Sequence, residues 1–142
     1  MTGAELATVA LAFGWTGLVV GLAFIETPLK FRAPGITLPL GLGIGRLVFA
    51  VLGRLEAGLV VLVTLAAWAA DVPAGGRWAV AGLWALVALQ QLVVRPRLMR
   101  RTDAVLAGAE GPRSRLHLWF VGIDVLKLAL LVTLGCVVGL AG

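Results

Sequence analysis

Apolar residues run along this chain in long blocks, without the period-2 alternation of a half-buried strand or a single amphipathic stripe. A helix that crosses the hydrocarbon core of a bilayer needs about 20 mostly apolar residues. Four stretches meet that length, at about 6–25, 47–68, 78–94 and 118–140. Polar residues collect in the connections 26–46 and 95–115 and in the short segment Asp71-Val72-Pro73-Ala74-Gly75-Gly76. That segment is rich in helix breakers and predicts a tight hairpin between the second and third helices. The pattern predicts an all-α polytopic membrane protein, with residues 1–142 forming a single domain of four transmembrane helices in an antiparallel bundle.

Two connections are irregular. Residues 33–45 are apolar but too short to span, and carry Pro34, Pro39 and the alternating Gly41, Gly43 and Gly45. Such a run suits a re-entrant or interfacial segment. The simpler reading is that Pro39 opens a long, tilted second helix. In the loop 95–115, Leu98, Met99, Val105 and Leu106 lie among arginines, which suggests a short amphipathic helix on the membrane surface, ended by Gly111-Pro112. Gly17 with Gly21, and Gly135 with Gly139, are small-residue pairs at the spacing that lets helices approach closely.

Charge sets the orientation. Neither terminal segment carries Lys or Arg. The first connection holds Lys30, Arg32 and Arg46, and the third holds Arg95, Arg97, Arg100, Arg101, Arg113 and Arg115, against Arg77 alone in the second. Positive residues favour the cytoplasmic side, so both termini are expected outside the cytoplasm, in a multi-pass protein of the cell (inner) membrane. Trp68 and Trp78 flank the outer hairpin where an aromatic belt would lie. The segment before the first block lacks a basic n-region and reads as the start of a spanning helix, not a cleaved signal peptide.

Composition agrees: 61% of the 142 residues are hydrophobic and 13% charged, with mean hydropathy +1.05. The net charge of +5 sits in membrane-flanking loops, so anionic lipid headgroups at Arg95, Arg97, Arg100 and Arg101 are the expected partners, and nucleic acid is not. One cysteine, Cys136, rules out an internal disulfide or a CxxC site. The sole histidine, His117, rules out a histidine metal cluster, and Ser114 is the only serine. No metal, cofactor or catalytic centre is indicated.

What remains is a set of polar residues inside the apolar blocks, where a charge costs several kcal/mol unless it is paired or hydrated. Glu26 ends the first block. Arg54 and Glu56 lie in the second, Gln90 and Gln91 in the third, Asp124 and Lys127 in the fourth. All fall toward the basic end. Arg54 and Glu56 differ by about 200° around a helix, so only one can face the centre, and Glu56 is assigned there. Asp124 and Lys127, three apart, can pair, and His117 shares their stripe. The first functional reading is a site for a small polar molecule or ion, possessing a cavity that opens to the cytoplasm and serving binding or transport. Asp124 and Glu56 would take a proton or cation, and Lys127 would be their counter-ion or an anion contact. Glu26 and Gln91 would line the mouth, with Arg46, Arg54 and His117 secondary. In the other reading the charges neutralise one another and fix helix register, as in a scaffold or assembly partner. A homo-oligomer is expected in either case. Trp15 and Trp84 read as packing residues.

Two resemblances bear on this. The segments GLAFIETPLKF and GRLVF, with Phe24, Pro28, Phe31, Gly45 and Arg46, and the later RLHLWFVGIDVL with His117, resemble the family of small four-helix membrane proteins that includes human transmembrane protein 205. That resemblance implies a fold more than a function. Arg46, Arg54 and Glu56 on the second helix also resemble the membrane-associated eicosanoid and glutathione metabolism family, which implies a glutathione-transferase-like membrane enzyme acting on an amphipathic substrate as an alternative. The chain departs from that family in having no Asn and no Tyr.

Overall fold

The computed structural model describes residues 1–108 and 116–141. Arg113, Arg115, Ser114 and the Gly111-Pro112 helix stop therefore lie outside the described residues. Within those residues, all regular structure is helical. Four helices are long and apolar enough to cross a membrane: α1 (Gly3–Lys30), α2 (Leu38–Ala69), α3 (Ala74–Leu106) and α4 (Leu116–Ala141). The shortest has 26 residues, about 39 Å at 1.5 Å per residue, which exceeds the roughly 30 Å of a hydrocarbon core.

Each boundary has a local cause. Thr2 opens α1 with a capping box: its side chain accepts from Glu5 N at 3.1 Å, and Thr2 N donates to the Glu5 carboxylate at 2.8 Å, so two end amides are satisfied together. Thr37 caps α2, accepting from Leu40 N at 3.2 Å, with Pro39 in the first turn. There its missing N–H leaves no bond unmade. Residues 38–46 are thus the first turns of a long continuous helix. Asp71, at φ 48°, turns the chain after α2, in the left-handed conformation that Asp tolerates better than most residues.

Two helices widen locally into π geometry, at Val20–Glu26 in α1 and Gln90–Val94 in α3. Each widened turn ends two residues before a proline, Pro28 and Pro96. A proline inside a helix lacks one N–H and crowds the carbonyl four residues earlier, and opening the preceding turn relieves that crowding. Thr27 adds its own bond, with Oγ1 donating to Leu22 O at 2.9 Å. As a result the chain does not leave the helix at either proline. α1 continues to Lys30, five residues past its expected end. The amphipathic segment Arg95–Leu106 is likewise a direct continuation of α3, not a separate surface helix.

Helix α1 packs against α2 and α4, and α3 packs against the same two helices. Ala12, Trp15, Val19, Val60, Val63, Leu83, Leu131 and Leu134 fill the centre. The outward faces are apolar too: Leu47, Leu65, Trp68, Trp78, Leu92, Leu118 and Leu140 are all exposed. Large apolar surface on every side is what a lipid solvent would match and water would not. Of the two small-residue pairs, only the second makes a close approach. A Cβ on Gly135 would stand 2.6 Å from the Phe13 ring of α1, and one on Gly139 would stand 3.8 Å from Val9. Gly17 and Gly21 face open space.

Candidate functional site

Each of the four helices is almost wholly apolar in its middle, yet each sends one or two polar side chains to a common point. Trp15 comes from α1, Glu56 from α2, Gln90 from α3, and Asp124 and Lys127 from α4; all five are at most 2% exposed. Lys127 is the hub. Its Nζ donates to Glu56 Oε2 at 2.5 Å and to Gln90 Oε1 at 2.5 Å, and meets Asp124 Oδ1 at 2.9 Å. An ammonium has three donors; two are used in hydrogen bonds, and Asp124 is met as an ion pair. Gln90 Nε2 donates to Asp124 Oδ1 at 2.9 Å and to Phe120 O at 3.4 Å. The indole Nε1 of Trp15 donates to Glu56 Oε2 at 2.8 Å. Taking an ion out of water costs several kcal/mol, recovered only with good geometry and satisfied partners. The network supplies most of those partners, but Asp124 Oδ2 is buried with no hydrogen bond.

Glu56 faces inward and Arg54 is exposed, the split that their phase difference requires. One turn nearer the basic end, Arg95 donates to Gln91 Oε1 at 2.8 Å. Its guanidinium lies so close to Gly53 that any Cβ there would collide with it. Arg95 is therefore turned against α2, whereas Arg97 and Arg100, read with it as headgroup contacts, are exposed.

The structure brings together Glu56, Asp124 and Lys127 of the residues expected at the site. Gln91 stands aside with Arg95. Glu26 is farther out, its Oε2 3.7 Å from Lys30 Nζ. Arg46 pairs with Asp103, and His117 is exposed. Two members went unassigned in the sequence. Gln90 lies on the stripe Val80, Leu83, Val87, Gln90, Val94, every residue of which is buried, and that spacing distinguishes it from Gln91. Trp15 carries the only polar atom in the middle of α1 that needs a partner on another helix, and a buried indole N–H usually finds one. The nearby hydroxyl of Thr16 is satisfied locally by Ala12 O.

Cavities lie toward both ends of the bundle. One, of about 480 Å³, opens beside the α2–α3 turn between Thr64, Trp68, Asp71 and Arg77. The other, of about 150 Å³, lies at the basic end, and Phe120, whose carbonyl accepts from Gln90, is part of its wall. Among the described residues, no three His, Cys, Asp or Glu side chains converge as a metal-ligand set.

No family model, curated protein or solved structure matches this chain. The fold and the cluster define a class only: an all-helical protein with four helices long and apolar enough to cross a membrane, joined at their centre by a buried ionic network.

Proposed function

We propose that this is a multi-pass membrane protein that binds a small polar molecule or an ion at the Glu56–Gln90–Asp124–Lys127 cluster and exchanges it with the cytoplasm through the basic end. Its four helices form an antiparallel bundle. In support, early residues of one helix meet late residues of a neighbour: Val9 and Phe13 of α1 lie against Gly139 and Gly135 of α4, and on α2 Thr64 accepts from Trp84 of α3 while Gly53 lies against Arg95. The basic residues then put both termini outside the cytoplasm. The small four-helix family named above is the one this reading favours.

The observation that carries the proposal is the unpartnered Asp124 Oδ2. Buried polar atoms are nearly always hydrogen-bonded, so a buried carboxylate oxygen without a hydrogen bond is an acceptor open to something else. A proton, a small cation or an N–H or O–H of a polar ligand would complete it. Lys127 and Gln90 hold the carboxylate in place, and Trp15 holds Glu56. A second reading, an assembly scaffold with internal ionic struts, is favoured by the hydrogen bonds and ion pairs that tie the four helices together.

Native mass spectrometry of the protein released from lipid nanodiscs separates the two. A stoichiometric small molecule, retained by the native chain and lost from Asp124→Asn, supports the binding site, and its mass gives the ligand class. A defined oligomer that carries only lipid, unchanged by Asp124→Asn, supports the scaffold. Orientation is tested separately: a cysteine placed at Thr2 in a Cys136→Ser background should react with a membrane-impermeant maleimide from outside the cell.

A further inference from the structure

At the basic end of the bundle, the cavity of about 150 Å³ is walled by Phe31, Phe49 and Phe120 and carries Lys30, Arg46 and His117. Phe49 and Phe120 meet edge to face, with ring centroids 5.6 Å apart. The walls are apolar and aromatic, and the charged groups among those six residues are cationic or can become so.

Lys30 is the unusual member. Its side chain is 8% exposed, yet its ammonium makes no hydrogen bond among the described residues. Glu26, 3.7 Å away, is its ion-pair partner there, and the Phe31 ring lies with its centroid 5.5 Å from Nζ. A buried ammonium has three donors to satisfy, and leaving them unmade is costly. Glu26 does not relieve this, because its own Oε2 is buried without a hydrogen bond. Arg46 is already engaged by Asp103 on α3, whereas the imidazole of His117 stands at the rim, exposed. The sequence pattern offered Lys30 only as one of several flanking cations; the fold carries α1 past Pro28 and turns that lysine inward.

We propose that this cavity is a binding site for a small anion with an apolar body, its carboxylate or phosphate head on Lys30 and its body between the phenyl rings. This goes beyond the function proposed above, since none of these side chains belongs to the buried cluster, and either proposal can fail alone. An anionic head would supply the acceptors that the Lys30 ammonium lacks, and a low-dielectric wall strengthens that contact. The size suits one ring, since a dry cavity of about 150 Å³ accommodates benzene. The same head chemistry could come from a free organic acid or from a lipid headgroup reaching in at the interface.

Benzoate is the probe, titrated calorimetrically into the full chain in phosphatidylcholine nanodiscs, with benzyl alcohol as its uncharged counterpart. Saturable benzoate binding is expected, at least tenfold tighter than benzyl alcohol. Lys30→Met should weaken it by about ten- to a hundredfold, the worth of one hydrogen bond to a charged group. Met keeps the apolar stem but leaves Glu26 without its ion-pair partner, so some loss of stability is expected and binding is compared at a temperature where both chains are folded. Phe49→Leu gives a second reading, weakening benzoate while leaving Lys30 in place. If a lipid is the occupant, benzoate binds only weakly, phosphatidic acid added to the nanodisc is retained through native mass spectrometry, and Lys30→Met loses it. Failure to bind either anion, or equal binding by Lys30→Met, overturns the proposal.

Discussion

Replacing Lys127 by leucine removes the one positive charge that touches both buried carboxylates. Lys127 Nζ lies 2.5 Å from Glu56 Oε2 and 2.9 Å from Asp124 Oδ1, and all three side chains are at most 3% exposed. Breaking a buried pair by deleting one partner costs about 3–5 kcal/mol, since the remaining charge is left uncompensated. Here two carboxylates are left, and Gln90 Oε1 also loses its donor, so the upper part of that range is expected. At this chain length about 3 °C of unfolding midpoint accompanies each kcal/mol, so Lys127→Leu should lower the midpoint by roughly 10–15 °C. Asp124→Asn should behave differently. It removes the carboxylate with the unpaired oxygen, leaves Lys127 and Glu56 as a matched pair, and keeps an amide oxygen for Gln90 Nε2, so the loss should stay below about 1.5 kcal/mol. The assay is thermal unfolding in nanodiscs followed by tryptophan fluorescence, for which Trp15, bonded to Glu56, is a reporter inside the cluster. Equal destabilisation by the two substitutions would refute the division of labour argued here, in which Lys127 holds the helices and Asp124 keeps an acceptor free. So would a Lys127→Leu variant that unfolds within a few degrees of the native chain.

Three further outcomes follow from particular contacts. Trp15→Phe keeps the ring but removes the donor to Glu56, and should cost about 1.5–3 kcal/mol, the range for a hydrogen bond to a charged group, read as a lowered midpoint in the same assay. Gly53→Leu must displace the Arg95 guanidinium and Gln91, which should cost about 1–3 kcal/mol through overpacking; Gly58→Leu, facing open space, is the control and should be close to neutral. Thr37→Ala removes the α2 cap at about 1 kcal/mol, and amide exchange should quicken over Leu38–Gly41 while the rest of the helix is unchanged.

The block pattern of apolar residues determined by itself that the chain is helical, and it placed the four helices close to their positions. Any stretch long enough to cross a bilayer has to close its backbone hydrogen bonds within itself, so length and hydropathy suffice. Phase arithmetic also put Glu56 inside and Arg54 outside, because the two cannot share a face. The helix ends needed the three-dimensional structure. The first and third helices were expected to end near residues 25 and 94, but both continue, with a π turn absorbing Pro28 and Pro96. Choosing Gln90 over Gln91 and finding a bonding role for Trp15 required the structure as well. In a helix that is apolar all round, hydrophobicity does not mark the inward face, and only packing against three other helices decides which side chains meet. The same reason hides Lys30: local sequence makes it a flanking cation, and only the neighbouring helices enclose it.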